Sequence, residues 1–459
     1  FGGPGAWGAP YFAVQGYSPI GDSFSATPMH SWDTLVEGRD TLTWLVGRHS
    51  LKFGGVYQRF IWPMWGFFQN RGYYQFTNGF TTDIGANDGT GSALASFLLG
   101  LPAVRQRQAG IPQMNLSQWY GDGYVQDTFR LTTNTTLDYG VRYEYMSALI
   151  DRRYTNSNLT FASDGTPSVF IGGQNGMPKG LMYPNRTDFA PRLGIAQNIP
   201  SRGLVLHAAY GIFYTPVDMN TWCNQRHNVP YTFPETNQSD NFTPSINGFN
   251  FAPAVLGKTV VSFTAMETHP SPQYIQQWSA SMEQSLGKST VLEIGYLGSG
   301  GFHLQRAHLI NNAQPGPGAI QPRRPFKQIS FVPNSVMPPD VTVASTTFSV
   351  STINLMENSA QSWYDAGYVN VRRRAAKGLS LLANYTWSKS LSNAPDFRSP
   401  MFEAAIPQNN NDLAAEKGPA CDVRKRVALS SVYDCPAWGR SRVTRALTVD
   451  WRTSTIVQA

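Results

Sequence analysis

Histidine, cysteine and acidic residues most often carry out catalysis or bind metals, and here they form no known catalytic or metal-binding pattern. The seven histidines are dispersed along the chain. The closest pair, His303 and His308, lacks both the i,i+4 spacing and the glutamate of a zinc-binding helix, so we expect polar loop residues there. Nucleophile-elbow, phosphate-loop and dinucleotide-binding motifs are also missing from the sequence. We therefore predict a protein that is not an enzyme and has no catalytic residues, metal ligands or cofactors.

Two short segments could still suggest a site. The string GYLGSGG, which begins at Gly295, is similar to a glycine-rich loop. It follows a predicted strand and no helix comes after it, so we interpret it as a strand exit that needs a flexible backbone. Asp412 and Glu416 lie in a polar loop and could bind a cation, although acids in such loops are usually just solvated.

The three cysteines leave few options for a disulfide. Cys421 and Cys435 flank one predicted strand, and at about 3.3 Å per residue they would lie about 45 Å apart, which excludes a mutual bond. Cys223 and Cys421 both fall at the end of the sheet where the long connections lie. A bridge between those two is possible in an oxidising exterior, and two free thiols fit at least as well.

The basic character of the chain could indicate a nucleic-acid partner. The net charge is +7 and the pI is about 9.2, but the basic residues are scattered. The one dense run, VRRRAAKG from Val371, ends a predicted strand and enters a turn. We interpret this run as a solvated turn or a contact with lipid head groups rather than a phosphate-binding stripe, and we expect no nucleic-acid partner.

The composition favours strands over helices. Charged residues make up 14% of the chain, against about 25% in typical soluble proteins, whereas aromatic residues reach 13% and glycines number 42. No apolar run approaches the roughly 18 residues of a membrane helix. The mean hydropathy of -0.29 fits strands that carry apolar residues only at alternate positions.

Alternation of apolar and polar residues predicts about twelve strands, arranged in pairs. The predicted strands are 31–46 with 51–62, 118–131 with 136–147, 188–198 with 204–214, 273–286 with 290–298, 363–374 with 379–389, and 421–434 with 447–457. Most connections within a pair are tight turns, and connections between pairs are long, as in 215–271 and 299–361. The short turns should therefore lie at one end of the sheet and the long loops at the other. The string SALASFLL predicts one short helix at Ser92–Leu99 that packs in or over a loop.

Residue parity within the strands separates an apolar face from a charged face. In the strand TTLDYGVRYEYM the apolar face carries Leu137, Tyr139, Val141, Tyr143 and Tyr145, and the opposite face carries Arg142 and Glu144. In most strands, aromatic residues of the apolar parity lie toward the long loops; Tyr433 and Trp451 are exceptions. A membrane interface favours Tyr and Trp at one level, and a dry core would not accept unpaired ionic residues. We predict an all-β fold, an antiparallel transmembrane β-barrel whose apolar face contacts lipid, in preference to a secreted sandwich.

Several longer strings give the sequence a family resemblance. They are RHSLKFGGVYQ from Arg48, SFLLGLP from Ser96, WYGDGYVQDTFRLTTNTTLDYGVRYEY from Trp119, FAPRLGIA from Phe189, AAYGIFY from Ala208, QQWSASMEQSLGKSTVLEIGYLGSGGFHL from Gln276, VRRRAAKGLSLLANYTWSKSL from Val371 and DVRKRVALSSVYDCP from Asp422. Together, from about residue 30 to the C-terminus, they resemble TonB-dependent outer-membrane receptors of the Oar-like type, which carry a carboxypeptidase-regulatory-like domain. The resemblance implies a barrel of about twenty-two strands that is closed by a plug domain and often preceded by a β-sandwich.

The resemblance covers the barrel region alone. No plug, sandwich or TonB-contacting segment is recognisable, the chain begins with FGGPGAWGAP, which has no Met or leader, and it ends with TSTIVQA, which lacks a terminal aromatic residue. We therefore interpret residues 1–459 as part of one barrel domain, about twelve of some twenty-two strands, without the plug and sandwich domains.

The family implies a receptor and transporter in the outer membrane of a Gram-negative bacterium. Its expected partners are outer-membrane lipid, its own plug domain, the TonB, ExbB and ExbD complex that drives uptake, and an extracellular ligand such as an oligosaccharide, a peptide or a metal chelate. Loop aromatic residues could stack on that ligand, and lumen charges could contact it. The candidate ligand-binding residues are Trp222, Tyr231, Phe233, Arg142 and Glu144.

Two other functions are compatible with the same sequence. A secreted β-rich carbohydrate-binding protein or enzyme would use the aromatic residues as a sugar platform and would dissolve without detergent. A structural or adhesive barrel of the outer membrane would bind a ligand without taking it up.

Overall fold

A computed structural model gives the fold of the chain. It describes residues 8–21, 30–66, 69, 71–83, 90–110, 113–216, 222, 224–239, 254–256, 260–331, 341–343, 345–376, 378–393, 407–409, 412–436, 441–448 and 450–459. Strands dominate these residues, as the composition predicts.

The first strands in chain order are β1 (Tyr11–Val14), β2 (His30–Ser31), β3 (Thr34–Val46), β4 (His49–Trp65), β5 (Tyr73–Phe76), β6 (Val104–Gly110), β7 (Gln113–Arg130), β8 (Thr135–Met146), β9 (Ile150–Asp151), β10 (Ser157–Phe161), β11 (Pro167–Ile171), β12 (Asp188–Ile199) and β13 (Leu204–Tyr214). They are followed by β14 (Thr232–Gln238), β15 (Ala254–Leu256), β16 (Val261–Met266), β17 (Tyr274–Leu286), β18 (Thr290–Leu309), β19 (Gln328–Phe331), β20 (Val341–Val343), β21 (Thr347–Ala376), β22 (Leu379–Ser392), β23 (Gly418–Pro419), β24 (Lys425–Asp434) and β25 (Arg452–Gln458). The helices are α1 (Ala93–Leu98) and α2 (Arg442–Thr448), and short 3-10 turns cover Gly79–Thr81, Pro200–Arg202, Asn224–His227 and Gln321–Arg323.

One antiparallel sheet runs through most of the molecule. Its neighbouring strands are β3, β4, β7, β8, β12, β13, β17, β18, β21, β22, β24 and β25, in that order. All the predicted strands are therefore confirmed, and each pairs with its neighbour in the chain. The last strand begins at Arg452 instead of residue 447, because α2 occupies the preceding residues.

The short turns lie at one end of the sheet, as predicted, and two of them require glycine. Gly47 between β3 and β4 has a φ of 58°, and Gly378 between β21 and β22 has a φ of 79°. Both angles lie in the left-handed region, where a side chain is disfavoured. At Gly378 a β-carbon would also approach the carbonyl oxygen of Asp434 to 2.6 Å. Turns of this kind fix the register of each hairpin.

The string GYLGSGG does not form a strand exit, so that interpretation is wrong. It lies inside β18, which continues to Leu309. Its glycines provide room for aromatic rings from neighbouring strands: a β-carbon at Gly298 would lie 2.3 Å from Nε1 of Trp278, and one at Gly295 would lie 2.4 Å from the Tyr368 ring. The glycines therefore serve packing within the sheet.

The sheet exposes its apolar face. Register places Tyr139, Leu193 and Tyr210 side by side on neighbouring strands, and all three are exposed. The same face carries further exposed residues, namely Phe53, Tyr57, Val125, Val141, Ile195, Leu206, Met282, Ile294, Tyr296, Val369, Tyr385, Trp387 and Val427. Soluble monomers rarely expose an apolar patch of this extent. This is the arrangement expected of a sheet whose apolar side faces lipid.

Asp127 lies on the apolar face, and two side chains support one of its carboxylate oxygens there. The Asp127 side chain is 4% exposed and its Oδ2 lies 2.6 Å from Nδ1 of His49. The hydroxyl of Tyr139 donates to the same oxygen over 2.8 Å. The His49 ring stacks on Phe129 with ring centroids 4.3 Å apart. The charge is thus shielded from the apolar surroundings, which an unpaired carboxylate could not enter at low cost.

The hydrophobic cores of the chain lie among the long connections, where the sequence predicts polar loops. The first loop core consists of Leu159, Val169, Val229, Val261, Phe263, Ala265, Ile329, Phe331, Phe348, Val350 and Ile353. The second loop core consists of Met64, Met114, Leu116, Leu149, Phe170, Leu181, Met182, Trp222, Met266, Ala307 and Met356. Short strands β10, β11, β16 and β19 pack with the extended ends of β18 and β21 to bury these residues. The connections thus form a packed body at one end of the sheet.

The predicted helix is confirmed as α1. The Ser92 side chain caps it by accepting a hydrogen bond from the Ala95 amide over 3.3 Å. Phe97 packs edge-on against Phe76 of β5, with ring centroids 5.1 Å apart. The helix thereby covers one face of a small sheet formed by β1, β5, β6 and β14. No helix among the described residues is both long enough and apolar enough to cross a membrane.

The two faces of β8 should differ in their access to lipid and water. We expect nitroxide labels at Tyr143→Cys and Tyr145→Cys to be relaxed more by oxygen, which concentrates in lipid, than by a water-soluble nickel chelate. A label at Glu144→Cys, between them on the opposite face, should show the reverse. Electron paramagnetic resonance of the full chain in lipid vesicles measures both accessibilities. Nickel access at all three positions would contradict the orientation of the sheet.

A charged cluster fixes the extended ends of β18 and β21 to each other, outside the stretch predicted to cross the membrane. Arg306, whose side chain is 3% exposed, places Nη2 2.7 Å from Oε1 of Glu357. Ser359 donates to Glu357 over 2.7 Å, and Nδ1 of His308 lies 3.2 Å from its Oε2. Burial alone would raise the pKa of Glu357, but the hydrogen bonds from His308, Ser359 and Arg306 outweigh it and lower the pKa to about 2.

We predict that Glu357→Gln destabilises the protein by about 3 kcal/mol at neutral pH, because it leaves the buried Arg306 guanidinium without its carboxylate. Since the pKa of Glu357 is lower in the folded chain than its ordinary 4.5, the wild-type advantage is complete above that value and falls away toward about 2. Urea unfolding of both proteins over that pH range measures the difference. A difference that does not change with pH would contradict the assignment of the ion pair.

Candidate functional site

Polar side chains of β4, β7, β8 and β12 line a cavity of about 890 Å³ at the end of the sheet that carries the long connections. Alternation positions them: Asp122 pairs with Glu144 across β7 and β8, and Glu144 pairs with Asp188 across β8 and β12. Paired residues share a face, so all three carboxylates project to the side opposite the apolar face. The volume lies within the range of small-molecule binding sites.

Two contacts hold Arg142 in this cavity. Its Nη1 lies 3.1 Å from Oδ2 of Asp122, whose side chain is 1% exposed. Its guanidinium carbon lies 4.8 Å from the centroid of the Tyr124 ring. An ion pair and a cation–π contact together leave the guanidinium little freedom. Among the described residues, Nε of Arg142 and Oδ1 of Asp122 are buried and make no hydrogen bond.

Beside this ion pair, two carboxylates, those of Glu144 and Asp188, lie opposite each other on neighbouring strands. Glu144 accepts a hydrogen bond from the Tyr120 hydroxyl over 2.9 Å, and Asp188 accepts one from the Asn185 amide. Carboxylates directly opposite each other on neighbouring strands repel. A cationic or hydrogen-bond-donating group placed between them would relieve that repulsion, so the pair favours ligands that carry amino or hydroxyl groups.

The cavity offers binding groups but no catalytic machinery among the residues that the structure describes. Within them, no group of three His, Cys, Asp or Glu side chains is arranged to hold a metal ion. Arg142 and Tyr120 are engaged as donors to Asp122 and Glu144, and neither is positioned as a base beside a nucleophile. The arrangement can hold a polar ligand by charge and hydrogen bonding.

The structure brings three of the candidate ligand-binding residues together. Arg142, Glu144 and Trp222 all line the cavity. Trp222 reaches it from the second loop core, where its side chain is 2% exposed. Tyr231 is 1% exposed and is not among the lining residues, so it would have to be uncovered before it could stack on a ligand. Phe233 lies in β14, and its side chain is outside the described residues.

Sequence analysis missed Tyr120, Asp122, Asp188 and Tyr214, which also line the cavity. The signal for the first two was present, because β7 places Tyr120, Asp122 and Tyr124 at a single parity. Shared parity alone does not show that these residues lie next to Arg142 and Glu144. That conclusion needs the register between β7 and β8, which the sequence does not supply.

The remaining chemical candidates have structural partners. His303 and His308 lie in β18 and not in a loop, which corrects that expectation, since the strand extends past the predicted end. Asp412 accepts a hydrogen bond from the Ala415 amide, and Glu416 accepts one from the Asn409 amide, so both stabilise the local chain.

The cysteine prediction can be followed for two residues. Cys421 and Cys435 are both free thiols, which confirms that they form no mutual disulfide. Cys223, the proposed partner of Cys421, lies outside the described residues.

Comparisons with known proteins give one family and several similar structures. The sequence model of a family described as an outer membrane beta barrel domain matches residues 1–459. The chain is similar to the outer membrane transporter YddB from Escherichia coli, with a TM-score of 0.45, 10% identity, and coverage of 93% of this chain and 46% of that one. It is also similar to the alcaligin outer membrane receptor FauA from Bordetella pertussis, with a TM-score of 0.38, 10% identity, and coverage of 90% and 45%.

A third similar structure is the FrpB iron transporter from Neisseria meningitidis, with a TM-score of 0.40, 12% identity, and coverage of 89% of this chain and 42% of that one. The chain therefore spans less than half the length of each of these structures. No curated protein matches the chain.

We predict that Arg142→Gln destabilises the sheet by about 2 to 3 kcal/mol, because it leaves the buried Asp122 carboxylate without a cation. The matched control is Arg39→Gln, whose side chain also lines the cavity but is 69% exposed; it should cost less than about 1 kcal/mol. Urea unfolding in detergent, followed by circular dichroism, measures both. Equal costs for the two variants would show that the Asp122 ion pair does not hold the cavity wall.

Proposed function

The chain belongs to the outer membrane β-barrel domain family, and from this premise we propose that it forms part of the wall of an outer-membrane receptor and transporter. The chain is located in the outer membrane of a Gram-negative bacterium. The exposed apolar face agrees with that location. Both facts argue against a secreted carbohydrate-binding protein or enzyme, which would have to cover this face.

The cavity on the polar face carries the proposal. It lies beneath the packed connections, where a ligand from outside would enter, and it is lined by fixed side chains of both charges, including Arg142, Asp122 and Glu144. A wall that only closed a barrel or displayed an adhesive surface would gain nothing from pre-organised charges in its interior. Charges held in place before binding lower the cost of ordering them on a ligand.

In the proposed mechanism, the long connections capture the ligand and the polar face passes it inward. The Glu144–Asp188 pair would bind amino or hydroxyl groups, and Arg142 with Asp122 would bind groups of either polarity. These properties suit an oligosaccharide or a peptide; a metal chelate with polar arms also fits. Binding and release in this mechanism involve no covalent step, and we propose that the protein is not an enzyme.

The remaining parts of the proposal extend beyond this chain. We propose an Oar-like receptor with about twenty-two strands, whose plug domain closes the lumen. Uptake would be driven through TonB, ExbB and ExbD by the proton gradient of the inner membrane. The sequence strings that carry the family resemblance support this proposal.

Uptake can be tested in cells that produce the full-length protein. Labelled oligosaccharides, short peptides and ferric chelates are supplied separately, and accumulation is measured with and without TonB. We expect one probe class to accumulate, and its accumulation to disappear when TonB is deleted. Glu144→Gln should reduce binding of that probe roughly tenfold, the effect of one charged hydrogen bond.

The control variant is Glu416→Gln, which removes a carboxylate from a loop that does not line the cavity. It should bind and accumulate the probe as the wild type does. Surface binding that is unchanged by deletion of TonB would instead support an adhesive barrel. Accumulation that survives this deletion would contradict the proposed energy source.

A further inference from the structure

Several lysines lie close to an exposed tryptophan, Trp387, on the apolar face of β22 and β24. This region is at the end of the sheet near the long connections. Trp387 is 64% exposed. Lys425 pairs directly with it across the two strands, and Lys389 follows it by two residues on the same face of β22. Both lysines are exposed. Each lies at or beyond the tryptophan in the direction of the long connections, since β22 ends there and β24 begins there.

A third lysine reaches this face from the connection between β22 and β24. The Nζ atom of Lys417 lies 3.8 Å from the centroid of the Trp363 ring. Trp363 belongs to the same face, because it pairs with Leu391, two residues beyond Lys389. A cation over an aromatic ring is attracted to it, so this ammonium group is held above the sheet surface.

The carboxylates near these lysines are already engaged. Asp365, which pairs with Lys389, accepts a hydrogen bond from the Tyr296 hydroxyl over 2.5 Å. Asp422 accepts one from the Ser390 amide over 2.8 Å and forms an ion pair with Arg424. Among the described residues, Lys389 and Lys425 form no ion pair. The group thus contains three lysines and one arginine but two carboxylates. Its net charge is therefore positive.

The surroundings of this cluster distinguish a lipid from a dissolved anion. Below the lysines, toward the short turns, the same face continues with Tyr385 and Val427, which pair with each other and are each 41% exposed. A molecule with an anionic head and apolar chains would satisfy both regions at once. In an outer-membrane protein this face contacts the bilayer, where exposed tryptophan marks the level of the head groups.

We propose that Lys389, Lys417 and Lys425, together with Trp363 and Trp387, bind the phosphorylated head group of a lipid in the outer leaflet. Lysine binds phosphate as a point charge, and basic residues beside a membrane surface attract anionic lipids. The acyl chains lie along the apolar face past Tyr385 and Val427. This site rests on the location of the chain in the outer membrane, and it is independent of the uptake function and of the cavity.

The test uses the full chain in nanodiscs of phosphatidylcholine that contain a small fraction of either diphosphoryl lipid A or its dephosphorylated form. Native mass spectrometry measures the lipid that stays bound to the protein. We expect the phosphorylated lipid to be retained at least tenfold more than the dephosphorylated one. This comparison needs no variant, so it does not depend on the folding of an altered chain.

Variants then locate the site. K389Q with K425Q should lower retention of the phosphorylated lipid roughly tenfold, since each lysine near the head groups contributes to binding. The matched control is K288Q, an exposed lysine in the short turn between β17 and β18, which should retain the lipid like the wild type. Retention that is insensitive to the head-group phosphates or to K389Q with K425Q would overturn the proposal. Displacement of the lipid by inorganic phosphate would also overturn it, because the site would then bind the free anion.

Discussion

The hydrogen-bonded ladder between neighbouring strands is the constraint on which the rest of the structure depends. In a hydrocarbon layer, each backbone N–H and C=O group needs a partner within the protein, and an antiparallel sheet supplies those partners strand by strand. From β3 to β25 every strand pairs with the next one along the sheet, and the two outer members have all their residues exposed. Once the ladder is fixed, residue parity decides which side chains meet lipid and which meet water.

This constraint also explains why the hydrophobic cores are not where a soluble protein has them. The apolar residues of the sheet lie on its outer, lipid-facing side. Hydrophobic packing inside the protein must therefore come from other segments. The long connections provide it through the two loop cores, in which Phe263, Ile353 and Met356 are almost completely buried. The cavity lies between this packed body and the polar face, and Trp222 contributes to both. Its walls therefore combine strand positions, which the ladder holds, with connections that the loop cores hold.

The sequence predicts the sheet well because its information is local. Alternation over about ten residues identifies each strand, and turn residues such as Gly47 and Gly378 mark the hairpins. The short strands β10, β11, β16 and β19 have four to six residues each, too few for a clear alternation, and β11, β16 and β19 also pair with segments that are not their neighbours in the chain. For the cavity, parity identifies Arg142 and Glu144, but their contacts with Asp122, Tyr120 and Asp188 depend on register between strands. The burial of Trp222 and Tyr231 depends on tertiary packing and is likewise invisible in the sequence.

The carboxylates on the two faces give independent support for the orientation of the sheet. On the apolar face, Asp127 is enclosed by His49 and Tyr139, as an acid next to lipid must be. On the other face, Glu144 and Asp188 lie opposite each other with hydroxyl and amide partners, and among the described residues neither forms an ion pair, an arrangement that suits contact with water or a polar ligand. Reversing the sheet would place this repelling pair in hydrocarbon and the exposed leucines and tyrosines in water. The charge arrangement and the exposed apolar surface thus require the same orientation, although each arises from different residues.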